Sequence, residues 1–208
     1  MESFREYLSQ RSFVTVGIVT GSEVGMLHNF LRLDEPKAPL YGRATIEIEL
    51  LGLTEEKSLE YLREGFAQIK LEVPDQALES VHQRFDGIIG WLTYCGFKAM
   101  EKKKLDGRII EESSAKATKL AALEFKNFLK LYKSERYSLV MKSLARGSSA
   151  WAELKRGVES REGMTIGQSE ITKLLTNLED ASFVAKRDDG TYFIPDPMMI
   201  EAASKRLI

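Results

Sequence analysis

The chain has 208 residues, with 30 Lys/Arg, 31 Asp/Glu and a formal charge of −1, which allows one large domain or two to three small ones and excludes a disordered tail. No run of about 18 apolar residues occurs, so a transmembrane helix is excluded, and Met1–Glu6 lacks the apolar core of a signal peptide. A single cysteine, Cys95, excludes an internal disulfide and suits a reducing cytoplasm, and His28, His82 and Cys95 lack zinc-ligand spacing.

The near-neutral total conceals a division. Residues 1–97 carry nine Lys/Arg against 15 Asp/Glu, residues 98–133 carry ten against five, and residues 134–208 carry 11 of each. The basic middle segment has two readings: a contact with phosphates, or a solvated face and charge match for the acidic segment before it.

The opening residues put Phe4, Tyr7 and Leu8 on one helical face. Phe13–Val19 is almost unbroken in apolar or β-branched residues, which predicts a parallel strand covered on both faces. Thr20-Gly21-Ser22 ends it, a short helix through Met26, Leu27, Phe30 and Leu31 follows, and Pro36 and Pro39 mark a loop. Thr45–Leu50 alternates, the pattern of a strand with one buried face. Two strands alone would make a marginal sheet with exposed edges. Either the remaining strands lie outside this sequence or in a partner, or helices cover the pair in a small α+β domain.

From Thr54 the pattern is helical, with Thr54 as N-cap and Glu55 and Glu56 in the first turn. Leu59, Leu62, Phe66 and Ile69 form its stripe. Pro74-Asp75 starts a second helix with Leu78, Val81 and Phe85 inward and Gly87 past its end. A third, short helix is predicted over Gly90–Phe97. A long amphipathic helix follows from about Ile109 to Tyr132, with Leu120, Leu123, Phe128 and Leu131 on its core face.

The last 75 residues change pattern. Tyr137, Val140, Met141 and Leu144 define a helix stopped at Arg146-Gly147, and Ser148 or Ser149 can cap a second helix carrying Trp151, Leu154 and Val158. A third runs from about Gln168 to Asp180 with Ile171, Leu174, Leu175 and Leu178 inward. Phe183–Arg187 and Thr191–Ile194 flank Asp188-Asp189-Gly190, a hairpin signal. Three helices and a hairpin predict a winged helix-turn-helix.

Three motifs, Thr20-Gly21-Ser22-Glu23-Val24-Gly25, Leu40-Tyr41-Gly42-Arg43 and Asp86-Gly87-Ile88-Ile89-Gly90-Trp91-Leu92-Thr93, occur in this order before the winged helix. In that order the chain resembles, along its whole length, the archaeal ATPase family, part of the STAND branch of AAA+ P-loop proteins. The resemblance implies an α/β remnant of a P-loop ATPase core over residues 1–53, an all-α helical lid over 54–133, and a C-terminal winged helix-turn-helix over 134–208.

It also implies roles. Ser22 would be the polar sensor near the γ-phosphate, a position compatible with capping the helix that follows. Arg43 would be a phosphate-sensing arginine, with a surface ion pair to Glu23 or Glu47 as the alternative. Ile88 and Ile89 fall in the motif whose apolar residue covers the adenine, where many relatives have proline in place of Ile89. Trp91 and Tyr94 read as lid core.

No Gly-x-x-x-x-Gly-Lys-[Ser/Thr] occurs in the sequence, so the backbone cradle and lysine for phosphates are lacking. Gly163–Gln168 has neither the spacing nor the lysine. ATP and magnesium would therefore enter only with a P-loop-bearing partner, and no ATP hydrolysis is expected from the chain alone. A homo-oligomer is a second expected state, and no membrane partner is expected.

For DNA, the predicted recognition helix offers Gln168, Ser169, Thr172, Lys173, Thr176 and Asn177, and the wing Lys186 and Arg187. Glu170, Glu179, Asp180, Asp188 and Asp189 share those elements and oppose it. Three readings stay open: a nucleotide-dependent switch, a winged-helix DNA-binding module with an N-terminal dimerisation region, and an inactive remnant.

Overall fold

The computed structural model describes residues 18–20, 31–32, 35–38, 40–42, 45–46, 48 and 52–208. Within them it has eight helices and two short strands. Ser22, Arg43, most of the expected strand over residues 13–19 and half of that over residues 45–50 lie outside the described residues.

Helix α1 (Glu55–Gln68) starts where Thr54 Oγ1 accepts from the Lys57 N–H at 3.4 Å, with Glu55 and Glu56 at the positive end of its dipole. It buries Leu59, Leu62 and Phe66. The expected fourth stripe residue, Ile69, is exposed because the helix has ended before it. Helix α2 (Asp75–Phe85) buries Leu78, Val81 and Phe85. Ser58 on α1 and His82 Nδ1 on α2 share a hydrogen bond of 2.9 Å between the two helices.

Helix α3 (Ile89–Lys102) is longer than its sequence pattern suggests and buries Leu92, Cys95 and Ala99. Burial pushes the Cys95 thiol up to about 11, which leaves it protonated at neutral pH. Helix α4 (Gly107–Tyr132) is capped by Asp106, whose Oδ1 accepts from the Ile109 N–H at 3.0 Å.

The core face of α4 differs from expectation. Phe128 is buried, but Leu120, Leu123 and Leu131 are exposed. The buried stripe is Ile109, Ile110, Ser113, Ser114, Ala117, Thr118, Ala121, Ala122 and Phe125. The reason lies in the neighbours: α2, α3 and a C-terminal helix all pack on α4, and close approach by several helices selects small side chains.

Helices α5 (Arg136–Leu144), α6 (Trp151–Glu162) and α7 (Gln168–Asp180) precede strands β1 (Ala185–Lys186) and β2 (Tyr192–Phe193), which pair antiparallel. Ser149 adds an isolated bridge, exchanging backbone hydrogen bonds of 3.0 and 2.9 Å with Tyr192. Glu153 Oε2 accepts from the Ala150 N–H at 3.0 Å and from Ser149 Oγ at 2.9 Å, so Ala150 takes the N-cap position expected of Ser148 or Ser149. Val140, Met141, Leu144, Leu154, Val158, Ile171, Leu175 and Leu178 fill the core between the three helices.

One element had no sequence expectation: helix α8 (Pro197–Ser204), which returns to pack on α2, α4 and α5. Met198, at its start, is fully buried against Ser114 and Thr118 of α4. An aromatic cluster joins the same regions, with Phe183 edge-on to Phe125 and Phe128 (centroids 5.1 and 5.2 Å) and Tyr137 edge-on to Phe128 (5.0 Å).

Candidate functional site

Two places bring candidate residues together. The first is the turn between α2 and α3. Asp86 and Gly87 both take left-handed backbone, at φ 49° and 71°, and the Gly87 carbonyl accepts from the Leu53 N–H at 2.9 Å. A Cβ on Gly87 would stand 2.0 Å from the Leu53 carbonyl oxygen, a separation no side chain survives, so this position requires glycine. The incoming chain is thereby clasped to the residue before Ile88.

Ile88 is half-buried in the N-cap position of α3, while Ile89 is 45% exposed at the first helical position. The two isoleucines of the motif therefore differ in exposure, Ile88 being half-buried and Ile89 exposed. The first helical position would also accept proline, since the N–H there has no intrahelical partner to lose. In the Leu40-Tyr41-Gly42-Arg43 motif, Tyr41 is exposed and Gly42 has φ 69°, the left-handed region that favours glycine.

Trp91 is half-buried, and its Nε1–H donates to both carboxylate oxygens of Asp196 at 3.1 and 3.0 Å. Asp196 also caps α8, accepting from the Met198 N–H at 2.7 Å. Burial raises the Asp196 pKa, and the Trp91 and backbone N–H groups offset part of that rise. An Arg84–Glu201 ion pair lies between α2 and α8. The helical unit and the winged helix are thus tied by two partly buried polar links, neither signalled by any motif. The Asp196-Pro197 pair is a readable sign of α8 itself, an N-cap residue followed by proline at the first helical position, and not of the links it makes.

The second place is the outer face of α7 with the wing. Gln168, Ser169, Thr172, Lys173 and Thr176 are exposed together on α7. Thr172 Oγ1 accepts from Trp151 Nε1 at 3.3 Å. Asn177 turns inward, donating to the Tyr137 hydroxyl at 2.7 Å, so it leaves the exposed set. Lys186 and Arg187 are exposed on the wing, each over an aromatic ring, Tyr192 at 5.4 Å and Phe193 at 4.5 Å.

Some of the opposing acids are engaged. Glu170 pairs with Arg136, which also binds Glu162 through Nε at 2.8 Å and Nη2 at 2.7 Å. The guanidinium holds the Glu162 carboxyl below its ordinary range, and its own pKa is raised by the same bonds. Asp189 Oδ1 accepts from the Thr191 N–H (2.8 Å) and hydroxyl (2.6 Å) inside the wing turn, which lowers its pKa. Glu179 is half-buried and its pKa is raised by desolvation.

The C-terminal unit is a winged helix: residues 131–194 match the family model of the MCM protein C-terminal winged helix-turn-helix domain. The wider fold is similar to a solved structure, a Walker-type ATPase of Pyrococcus abyssi, with a TM-score of 0.75 and 29% sequence identity over 88% of this chain. The match covers 51% of that ATPase, so the chain spans about half its length. No curated protein matches this sequence. Among the described residues no helix is long and apolar enough to cross a membrane.

Proposed function

We propose that this chain is the sensor, lid and winged-helix part of an archaeal-type AAA+/STAND ATPase, a nucleotide-dependent switch that depends on a P-loop supplied by another polypeptide segment. The supporting observation is that a single similarity to a Walker-type ATPase takes in 88% of the chain, helical unit and winged helix together.

Residues 1–53 are read as the α/β remnant, with Ser22 and Arg43 as phosphate sensors. Ile89, exposed at the clasped turn, fits an apolar cover for a base, next to the half-buried Ile88. Magnesium and the phosphates have no lysine or glycine cradle in this sequence, so the chain offers a cover and no hydrolytic site. Calorimetric titration of the purified chain with Mg-ATP and Mg-ADP is expected to give no heat, and a coupled assay no turnover. Clear one-site binding or turnover at ordinary rates would overturn the reading.

The engaged acids favour a second reading in which the winged helix contacts DNA. With Glu170 held by Arg136 and Asp189 held in its turn, Gln168, Ser169, Thr172 and Lys173 remain to face a groove, and Lys186 and Arg187 to meet phosphates. Duplex binding is expected at low salt and should weaken steeply as salt rises. Absence of binding at the lowest salt would remove this reading.

A further inference from the structure

Helix α4 has an outer face on which three leucines stand exposed. Leu120, Leu123 and Leu131 are 37%, 53% and 74% exposed. At about 100° per residue they share one stripe with Asn127, about 16 Å long. Lys119, Lys126 and Lys130 follow one edge of that stripe, Lys116 heads it, and Glu124 stands on the other edge. All four lysines are exposed. Lys116, Lys119 and Lys126 form no ion pair among the described residues, and Lys130 donates to Asn127 Oδ1 at 3.0 Å.

We infer that this face docks an amphipathic helix of a partner protein, one whose apolar stripe is edged by aspartate or glutamate. Leu120, Leu123 and Asn127 follow the three-and-four spacing of a coiled-coil seam, with Lys119 and Lys126 in the flanking positions where charge selects the partner. The leucines require an apolar counterpart, and the lysines require carboxylates beside it. The phosphate backbone of a nucleic-acid duplex supplies charge without the apolar surface. A lipid surface is best met by a helix with basic residues on both rims, whereas here they follow one. A second copy of the chain is also disfavoured. Antiparallel two-fold pairing sets the lysine edge against itself, and parallel pairing, although it brings Lys119 beside Glu124 of the copy, sets Lys116 and Lys130 in the seam against their own copies.

The test uses the full chain and a fluorescent designed peptide, helical, with a leucine seam edged by glutamates, beside the same peptide with lysines in their place. The acidic peptide is expected to bind at least about tenfold more tightly than the basic one. Leu123→Ser should weaken acidic-peptide binding by about tenfold. The double variant Lys119→Glu/Lys126→Glu should reverse the preference, an outcome that only folded protein can give. Thermal melts of both variants should match the parent, because the side chains are exposed. No binding of the acidic peptide, or equal binding of both, would overturn the inference. So would preference for phosphatidylserine vesicles over the peptide, or a dimer abolished by Leu123→Ser.

Discussion

Helix α4 of the helical unit and helix α7 of the winged helix are built on opposite packing rules. In the winged helix the large apolar residues of α7, Ile171, Leu174, Leu175 and Leu178, all face the core and its outer surface is polar. In α4 the residues that face the core are mostly small, and three leucines face outward. A helix with one uncrowded core face, like α7, can place its big side chains inside. A helix pressed on several sides must shrink its buried face, and its large residues are left for something else.

Four measurements would break or sharpen this contrast. The largest effect is expected from Gly87→Ala, which forces a Cβ onto the Leu53 carbonyl at left-handed φ. It should destabilise the helical unit by about 4 kcal/mol in urea unfolding, and a cost below about 1 kcal/mol would show that the clasp yields.

Next come paired truncations. Leu178→Ala in the winged-helix core should cost about 3 kcal/mol, while Leu123→Ala on α4 should change stability by no more than about 0.5 kcal/mol. Comparable losses would mean that the two leucines are not in opposite environments. Asp196→Ala, smaller again, removes the α8 cap and strands the Trp91 N–H, at about 2 kcal/mol. It should also separate a single unfolding transition into two; a single transition at the parent midpoint would deny the link any role.

The smallest effect is a difference in pH response. Glu153, Glu159 and Glu162 in the winged helix have lowered pKa values, so their contribution is present above the ordinary 4.5 and is lost as pH falls through the folded values. Asp196 is raised from 3.8, so its contribution has the opposite sign. It is harmless below 3.8 and becomes a growing penalty as pH rises towards the folded value. Asn also caps helices well, so the stability of Asp196→Asn relative to the parent should climb with pH above 3.8 and then level off. A difference that stays flat with pH would remove Asp196 as the cause.

The winged helix was legible because each of its helices carries a single large-residue stripe at helical spacing, and Asp188-Asp189-Gly190 marks its turn. The bounds of α7 agree with the sequence expectation. Leu120, Leu123 and Leu131 were misassigned because a stripe of leucines and a stripe of alanines and serines both repeat at 3.6 residues, and size alone suggested the wrong one. At the sites, the exposure of Gln168, Ser169, Thr172 and Lys173 followed from the period. The capture of Asn177 by Tyr137 and of Glu170 by Arg136 did not, since each bond joins side chains at least 34 residues apart. The Trp91–Asp196 link, 105 residues apart in sequence, was illegible for the same reason.

The packing of α8 on α4 sets an order of events during synthesis. Ser114 and Thr118 are made long before Met198, the residue that fills the place beside them. At roughly 5–20 residues per second on the ribosome, that place stays open for several seconds. A chain that stops before Pro197 never closes it, and its uncovered stretch of α4 would be a surface of the kind chaperones hold and proteases remove.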